Sequence, residues 1–247
     1  MIVSIVTPSH NAEHFISDTI DSVLNQTYQD WEMIIVDDCS SDNSVQIIDK
    51  YVQKDKRIKL IKSDKNLGPA QTRNKAIESS SGKYIAFLDA DDMWMPHKLE
   101  KQLKFMRDND LAFTYASYLL IDEEGNDIGL FRTKEEINYD SILKTCSIGC
   151  LTAIYDVEKI GKTYMRDIPK GQDYTLWLNI MKRIKKTKGI MEPLAYYRIQ
   201  SISVSSNKLN AAKAQWSIYR NIEKLNIFKS IYYFIHYACF GLVKYRQ

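Results

Sequence analysis

Four times within the first 109 residues, a short apolar run rich in β-branched residues gives way to a stretch whose apolar positions recur at helical spacing. This alternation leaves few folds open. "MIVSIVTPSH" reads as a buried strand ending at Pro8, and "AEHFISDTIDSVLNQTY" places Phe15, Ile16, Ile20, Val23 and Leu24 on one helical stripe. "WEMIIVDDCS" repeats the strand, with Ser41 or Asp42 positioned to start the helix "DNSVQIIDKYV". "RIKLIKS" is a third strand, and "GPAQTRNKAIESS" a helix whose Pro69 suits the first turn, where a missing N–H costs nothing. "KYIAFLDA" is the fourth strand, and Pro96 opens a helix through "HKLEKQLKFMRDN". Strands alternating with helices of this length predict right-handed crossovers and an α/β fold, Rossmann-like, with a mainly parallel sheet and helices on both faces.

In open α/β sheets, ligands collect beyond the carboxyl ends of the strands. Three of those ends are polar together: "TPSHN", "VDDCSSD" and "LDADD". One acidic turn after a strand is commonly a solvated turn. Carboxylates about one residue apart can instead share a hard cation whose shell is completed by phosphate oxygens. The coincidence of three polar ends on one sheet edge favours the second account. After Asn109 the alternation fades: "LAFTYASYLLID" is strand-like, "DEEGND" is a turn before "IGLF", and "CSIGCLTAIYD" is another apolar segment, a second half expected to add antiparallel strands and loops over the site. "PKGQDYTLWLNIMKRI" then reads as a loop entering a helix with Asp173 in its first turn.

With 247 residues, 45% of them apolar, the chain can bury a sizeable core. Its four cysteines, Cys39, Cys146, Cys150 and Cys239, lack the paired short spacings that hold zinc, and Cys146 and Cys150 are expected in or near the core. No secretory signal precedes the first strand, so a reducing cytoplasm is the expected compartment. His10, His14, His97 and His236 show no ligand-like spacing.

The motifs "VSIVTPSHN", "IIVDDCSSDNS", "NLGPAQTRNKAI", "YIAFLDADDMWMP" and "GQDYTLWLNI", in this order, resemble those of family 2 inverting glycosyltransferases of the GT-A fold. The resemblance covers about the first 200 residues. It implies a catalytic domain over residues 1–205, with a nucleotide-binding half (1–109) and an acceptor-binding half (110–205), followed by C-terminal helices over 206–247. It implies a nucleotide-sugar donor, with UDP-sugars favoured, and Mn²⁺ or Mg²⁺ as cofactor. Asp91 is the implied direct metal ligand, and Asp89 holds the ribose or the metal shell. Ala90 is small enough for the backbone to approach the nucleotide, and Asp92 is either part of this cluster or a structural cap. Asp38 would accept the uracil N3–H with Asp37 supporting its loop, while Thr7, Pro8 and Ser9 wall the base. Arg73 would reach the base or phosphates, and Asn66 and Gly68 shape their loop.

Single-displacement transfer calls for one general base. The family places it as an Asp in an acidic pair before an aromatic-rich helix. Here the pair is Gln172-Asp173, which leaves Asp173 as the base and Trp177, one turn on, to line the acceptor site. In "YYRIQSISVS", Gln200 stands where relatives often carry His, and Arg198 and Ser203 would approach the phosphates. The implied acceptor is a glycan or lipid-linked glycan of bacterial surface polysaccharide.

Other readings fit less well. A receiver-type signalling domain shares the acidic pair and a later Asp but leaves "GQDYTLWL" without a role. A nucleotidyltransferase needs a Gly-rich phosphate loop after the first strand, and "TPSHNAEH" has no glycine. A catalytically inactive nucleotide-sugar-binding protein is the remaining alternative.

Charge is unevenly spread. Residues 1–181 carry 21 Lys and Arg against 29 Asp and Glu, whereas residues 182–247 carry 13 against 2. The apolar stretches in "NIFKSIYYFIHYACFGLVKYRQ" are too short to span a bilayer. At helical spacing, Ile227, Phe228, Ile231, Phe234, Ile235, Ala238 and Leu242 form a stripe flanked by tyrosines and basic residues, suited to the inner face of the cell membrane. Packing on the catalytic domain or on a second subunit is the alternative. Nucleic acid is not expected, because no binding motif accompanies the charge.

Overall fold

The computed structural model describes residues 2–200 and 208–244, so Ser203 lies outside the described residues. The predicted alternation is present: β1 (Val3–Ser9), α1 (Ile16–Leu24), β2 (Trp31–Asp37), α2 (Ser44–Lys54), β3 (Ile58–Lys62), α3 (Pro69–Ser79) and β4 (Tyr84–Phe87). A two-residue strand β5 (Met93–Trp94) and α4 (Lys98–Asp108) follow. The second half supplies β6 (Phe113–Ile121), β7 (Asp127–Phe131), β8 (Glu136–Asn138), α5 (Tyr139–Lys144), β9 (Ile154–Asp156), α6 (Val157–Ile160), α7 (Gln172–Ile184) and β10 (Lys186–Arg198). The C-terminal extension is α8 (Lys208–Ser217), a π turn (Ile218–Ile222) and α9 (Ile227–Lys244).

One sheet carries both halves in the order β3-β2-β1-β4-β9-β6-β10-β5, with β7 beside β6 and β8 beside β10. The β3-β2-β1-β4 portion is parallel, as is the β6–β10 pair. Antiparallel character enters through β9, which joins β4 to β6, and through the short edge strands. Because β1, β2 and β4 run in one direction, with Ser9 opposite Asp37 in register, their polar carboxyl ends open onto a common edge.

Successive side chains of a strand point to opposite faces, and the core divides accordingly. Ile5, Met33, Ile35 and Ala86 pack on one face with Ile16, Ile20, Ile48 and Leu99 from α1, α2 and α4. Val6, Ile34, Val36, Ile85 and Phe87 face the other way, against Ala76 and Ile77 of α3 and Leu178 and Met181 of α7. A strand apolar on both faces is what a helix-covered parallel sheet requires. Trp177 belongs to this second layer: it is 0% exposed, stacks on Phe113 at 5.2 Å and meets the edge of Phe87 at 5.5 Å. Its indole fills the space between α7 and the sheet, so the sequence expectation that it lines an acceptor site is corrected.

Helix α9 packs on the rest of the chain along one side and leaves an apolar face exposed. Tyr233 donates its hydroxyl to Asp140 at 2.7 Å, and Phe234 packs edge-on to Trp216 at 5.5 Å, so Phe234 faces inward and leaves the predicted outer stripe. Ile227, Phe228, Ile231, Tyr232 and Ile235 are exposed, Phe228 at 81%. Among the described residues, no helix is long and apolar enough to cross a membrane.

Candidate active site

Beyond the carboxyl ends of β1, β2 and β4 lies a cleft of about 770 Å³. Pro8 and Ser9, Asp38, Arg73, Asp89, Ala90, Asp91 and Asp173 all line it, brought from five separate stretches of the chain. Each predicted residue has a definite local reason for its place.

Asp38, just after β2, is almost fully buried and accepts the backbone N–H of Leu67 at 2.6 Å and of Gly68 at 2.9 Å. It thereby fastens the loop before α3 while keeping lone pairs toward the cleft. Asp37 accepts the Ser40 N–H at 3.0 Å and its hydroxyl at 2.5 Å, as expected of a loop support. Gly68 has φ +81°, a conformation other residues resist, and its N–H also reaches Asn66 Oδ1 at 3.1 Å. Thr7 is fully buried and faces away from the cleft, so of the three wall residues only Pro8 and Ser9 reach it.

The segment after β4 is tightly built. Asp89 pairs with Arg73 at 2.6 Å, an ion pair buried enough to be rigid. The Thr19 hydroxyl donates to the carbonyls of Ala90 at 2.9 Å and Asp92 at 2.8 Å, fixing the turn. Asp91 accepts from the Gln200 amide at 2.8 Å, and burial, with the Asp89 charge added, pushes its carboxyl up to about 6. Gln200, the departure noted in the sequence, thus lines the cleft in contact with the Asp91 carboxylate. Asp92 is buried at the floor of the cleft and accepts the Arg198 N–H at 3.0 Å, a bond that braces the turn.

Arg198 departs from expectation. Its guanidinium donates to the Asp91 carbonyl at 3.1 Å, the Glu123 carbonyl at 2.7 Å and the Asp18 carboxylate at 3.1 Å, and lies over the Phe15 ring. A guanidinium so committed, 4% exposed, has no donor left in the cleft. It positions the Asp91 turn instead of contacting phosphate.

Asp173 sits in the first turn of α7, after Gly171 in a left-handed conformation. Burial raises its carboxyl above the ordinary aspartate range, with the Tyr174 N–H and the Arg73 charge opposing the rise. A carboxylate held less acidic than usual is better matched to taking a proton near neutral pH. The neighbouring Gln172 also lines the cleft, and its amide donates to the Ile168 carbonyl at 2.8 Å and ties down the incoming loop.

Sequence reasoning missed several lining residues. Cys150, read as core, borders the cleft near Arg73 and Asp173, and Tyr118 and Tyr197 enter from β6 and β10. Tyr197 immediately precedes the singled-out Arg198; Tyr118 and Cys150 carry no local signal.

The acidic corner suits a hard divalent cation. Asp89 and Asp91 offer oxygen ligands, and their mutual repulsion is relieved by a shared positive charge. Among the described residues, no group of three or more His, Cys, Asp or Glu is arranged to hold a metal unaided. Phosphate oxygens of a bound diphosphate would have to complete the shell.

Comparison with known proteins agrees with this geometry. The family model described as "Glycosyl transferase family 2" matches residues 4–157. The chain is 44% identical over 238 residues to TuaG of Bacillus subtilis (strain 168), named for teichuronic acid biosynthesis, covering 96% of this chain and 94% of TuaG. It is 39% identical over 246 residues to WfgD of Escherichia coli, named a UDP-Glc:alpha-D-GlcNAc-diphosphoundecaprenol beta-1,3-glucosyltransferase, covering 98% and 94% of the two chains. Among solved structures, Staphylococcus aureus TarS residues 1–349 in complex with UDP-GlcNAc superposes with a TM-score of 0.73 at 19% identity, covering 96% of this chain and 72% of that one. With an unbroken sheet of this topology and a model match across most of the chain, the protein belongs to glycosyl transferase family 2 and has the GT-A fold.

Proposed function

We propose that this protein transfers a sugar from a nucleotide diphosphate donor, a UDP-sugar, to a hydroxyl of a lipid-linked glycan, with inversion at the anomeric carbon, in the synthesis of cell-surface polysaccharide. The observation that carries this reading is the convergence of Asp38, Asp91 and Asp173 on one cleft, three carboxylates with separate chemical environments. Asp38 and the Pro8-Ser9 wall receive the base. Asp89 and Asp91 hold the cation, Mn²⁺ or Mg²⁺, which when bound neutralises charge on the departing diphosphate. Residues 1–109 thus serve the donor and residues 110–205 the acceptor. UDP and the lipid-linked acceptor are favoured because WfgD and its Escherichia coli counterpart WfaP bear both in their names.

Asp173 takes the proton from the acceptor hydroxyl as that oxygen bonds to the anomeric carbon, while the bond to the diphosphate oxygen breaks on the opposite face. Arg73 holds Asp89 in place and moderates the charge on Asp173. The exposed face of α9, with the basic character of residues 182–247, lays the enzyme on the anionic cytoplasmic leaflet where such acceptors reside.

A panel of UDP-, GDP- and dTDP-sugars with Mn²⁺ and purified protein, scored by nucleotide release and by the anomeric configuration of the product, tests the proposal. A UDP-sugar turned over with inversion is the expected result. No turnover of any donor favours a binding protein, and retention contradicts the single displacement.

A further inference from the structure

A second cavity, of about 430 Å³, adjoins the first and shares Asp173, Tyr118 and Ile148 with it. Its size is within the range of small-ligand sites. The remaining walls come from the second half of the chain and the C-terminal extension: Ile142 from α5, Tyr174 from α7, Gln215 from α8 and Tyr237 from α9. The family match ends at residue 157, so Asp173, Tyr174, Gln215 and Tyr237 all lie beyond it.

The chemistry of this lining is selective. Its apolar surface is shared by aromatic rings (Tyr118, Phe131, Tyr174, Tyr237) and aliphatic side chains (Ile142, Leu143, Ile148), and its polar groups are chiefly hydroxyls and an amide. Gln215 is 9% exposed and hydrogen bonds to the Tyr174 and Tyr219 hydroxyls, so this polar edge is built and not incidental. Tyr219 in turn donates to the Leu143 carbonyl at 2.5 Å, tying the π turn to α5. Among the described residues lining the cavity, Asp173 is the sole charged group. A pyranose ring matches such a lining, with C–H faces for the aromatic rings and a rim of hydroxyls for the amide and phenols. A phosphate, with no cation to meet it, does not.

We propose that this cavity is the acceptor subsite and that it seats an uncharged sugar ring, its attacking hydroxyl on Asp173 and its charged or lipid portion outside, toward α9. The inference rests on the transferase reading, because it is the shared Asp173 that gives an occupant access to the donor's anomeric carbon. It adds that α8 and α9, outside the family match, decide which acceptor enters.

The cysteines allow a test that does not depend on turnover. Cys146 lines the second cavity, whereas Cys150 lines the donor cleft. Iodoacetamide labelling of the full chain, followed peptide by peptide, would be run with UDP, with octyl glycosides of glucose, galactose, N-acetylglucosamine and N-acetylgalactosamine, and with octyl phosphate. At least one glycoside is expected to slow Cys146 labelling fivefold or more while UDP and octyl phosphate leave it unchanged. Protection by none of the glycosides, or equal protection by octyl phosphate, overturns the assignment. For a glycoside that protects, Tyr237→Ala is expected to lower the ratio of transfer to donor hydrolysis at least tenfold, and an unchanged ratio would also overturn it. Tyr237 lies half-buried on the outermost helix, so its loss leaves the catalytic core folded. If no donor is turned over, the transferase reading fails by itself, and the labelling pattern still decides whether the cavity binds sugar.

Discussion

At the scale of single residues, the cleft separates three carboxylate roles by environment. Asp38 is engaged by backbone N–H groups, Asp91 shares a buried corner with Asp89, and Asp173 is raised by burial next to Arg73. A base must be deprotonated to act, so transfer at saturating Mn²⁺ should climb with pH through an ionisation above the usual aspartate value of about 3.9. A kcat/KM profile with its acid limb at or below that value would contradict the assignment. Asp91→Asn should abolish Mn²⁺-dependent UDP binding in calorimetry. Asp38→Ala should weaken UDP at least about tenfold, because it strips the proposed contact to the base, orphans the Leu67 N–H and leaves the Gly68 N–H with Asn66 alone, yet keep metal dependence. Much of this was legible in the sequence: "DD" after one strand, "DADD" after another and "GQD" before a helix place carboxylates by local chain geometry. Arg198, Gln200 and Cys150 were not legible in the same way. The partners of Arg198 and Gln200 lie 75 or more residues away, so no local spacing encodes that Arg198 braces a turn or that Gln200 meets Asp91, and Cys150 meets Arg73 only through the fold.

At the scale of elements, continuous apolar runs made β1, β2 and β4 readable, and period-2 burial then fixed which helices cover which face. The short strands β5, β8 and β9 were not readable, because two or three residues carry no period and their pairing is set by neighbours. Trp177 shows the same limit from a helix: one turn from Asp173 in sequence, it is turned inward by the rotation of α7 on the sheet. Helix α4 contains an anomaly. Lys98 is 0% exposed, its ammonium has no hydrogen-bond partner among the described residues, and it lies 3.8 Å over the Trp94 ring. Burial pushes its pKa well below the usual lysine value. A lysine so lowered favours the neutral form in the folded state, so it costs stability below the unfolded pKa of about 10.4, and that cost shrinks as pH rises toward it. Lys98→Met keeps the volume without the charge and should raise Tm by at least about 3 °C at pH 7. A fall in Tm, seen by calorimetry, would mean that the interaction with the Trp94 ring outweighs desolvation.

At the scale of the whole molecule, an acidic body is joined to a basic C-terminal quarter whose last helix is packed on one side and apolar on the other. Because Tyr233 and Phe234 anchor α9 to the body, deleting the helix would disturb more than its outer face. Phe228→Asp combined with Ile235→Asp changes that face alone. Flotation with anionic vesicles should show binding by the parent protein that weakens with salt, and at least about tenfold less by the double variant. Equal binding by both would place the membrane contact elsewhere. In the proposed reading, donor cleft, Asp173, second cavity and α9 adjoin in that order, and the arrangement serves transfer only if Asp173 does the chemistry at its midpoint. The most direct measurement is therefore the transfer rate and UDP affinity of Asp173→Asn beside the parent enzyme. Loss of transfer by about 10² to 10⁴ with UDP affinity nearly unchanged is predicted, whereas a variant keeping more than about half its rate would make Asp173 a helix-terminal carboxylate and put the base elsewhere.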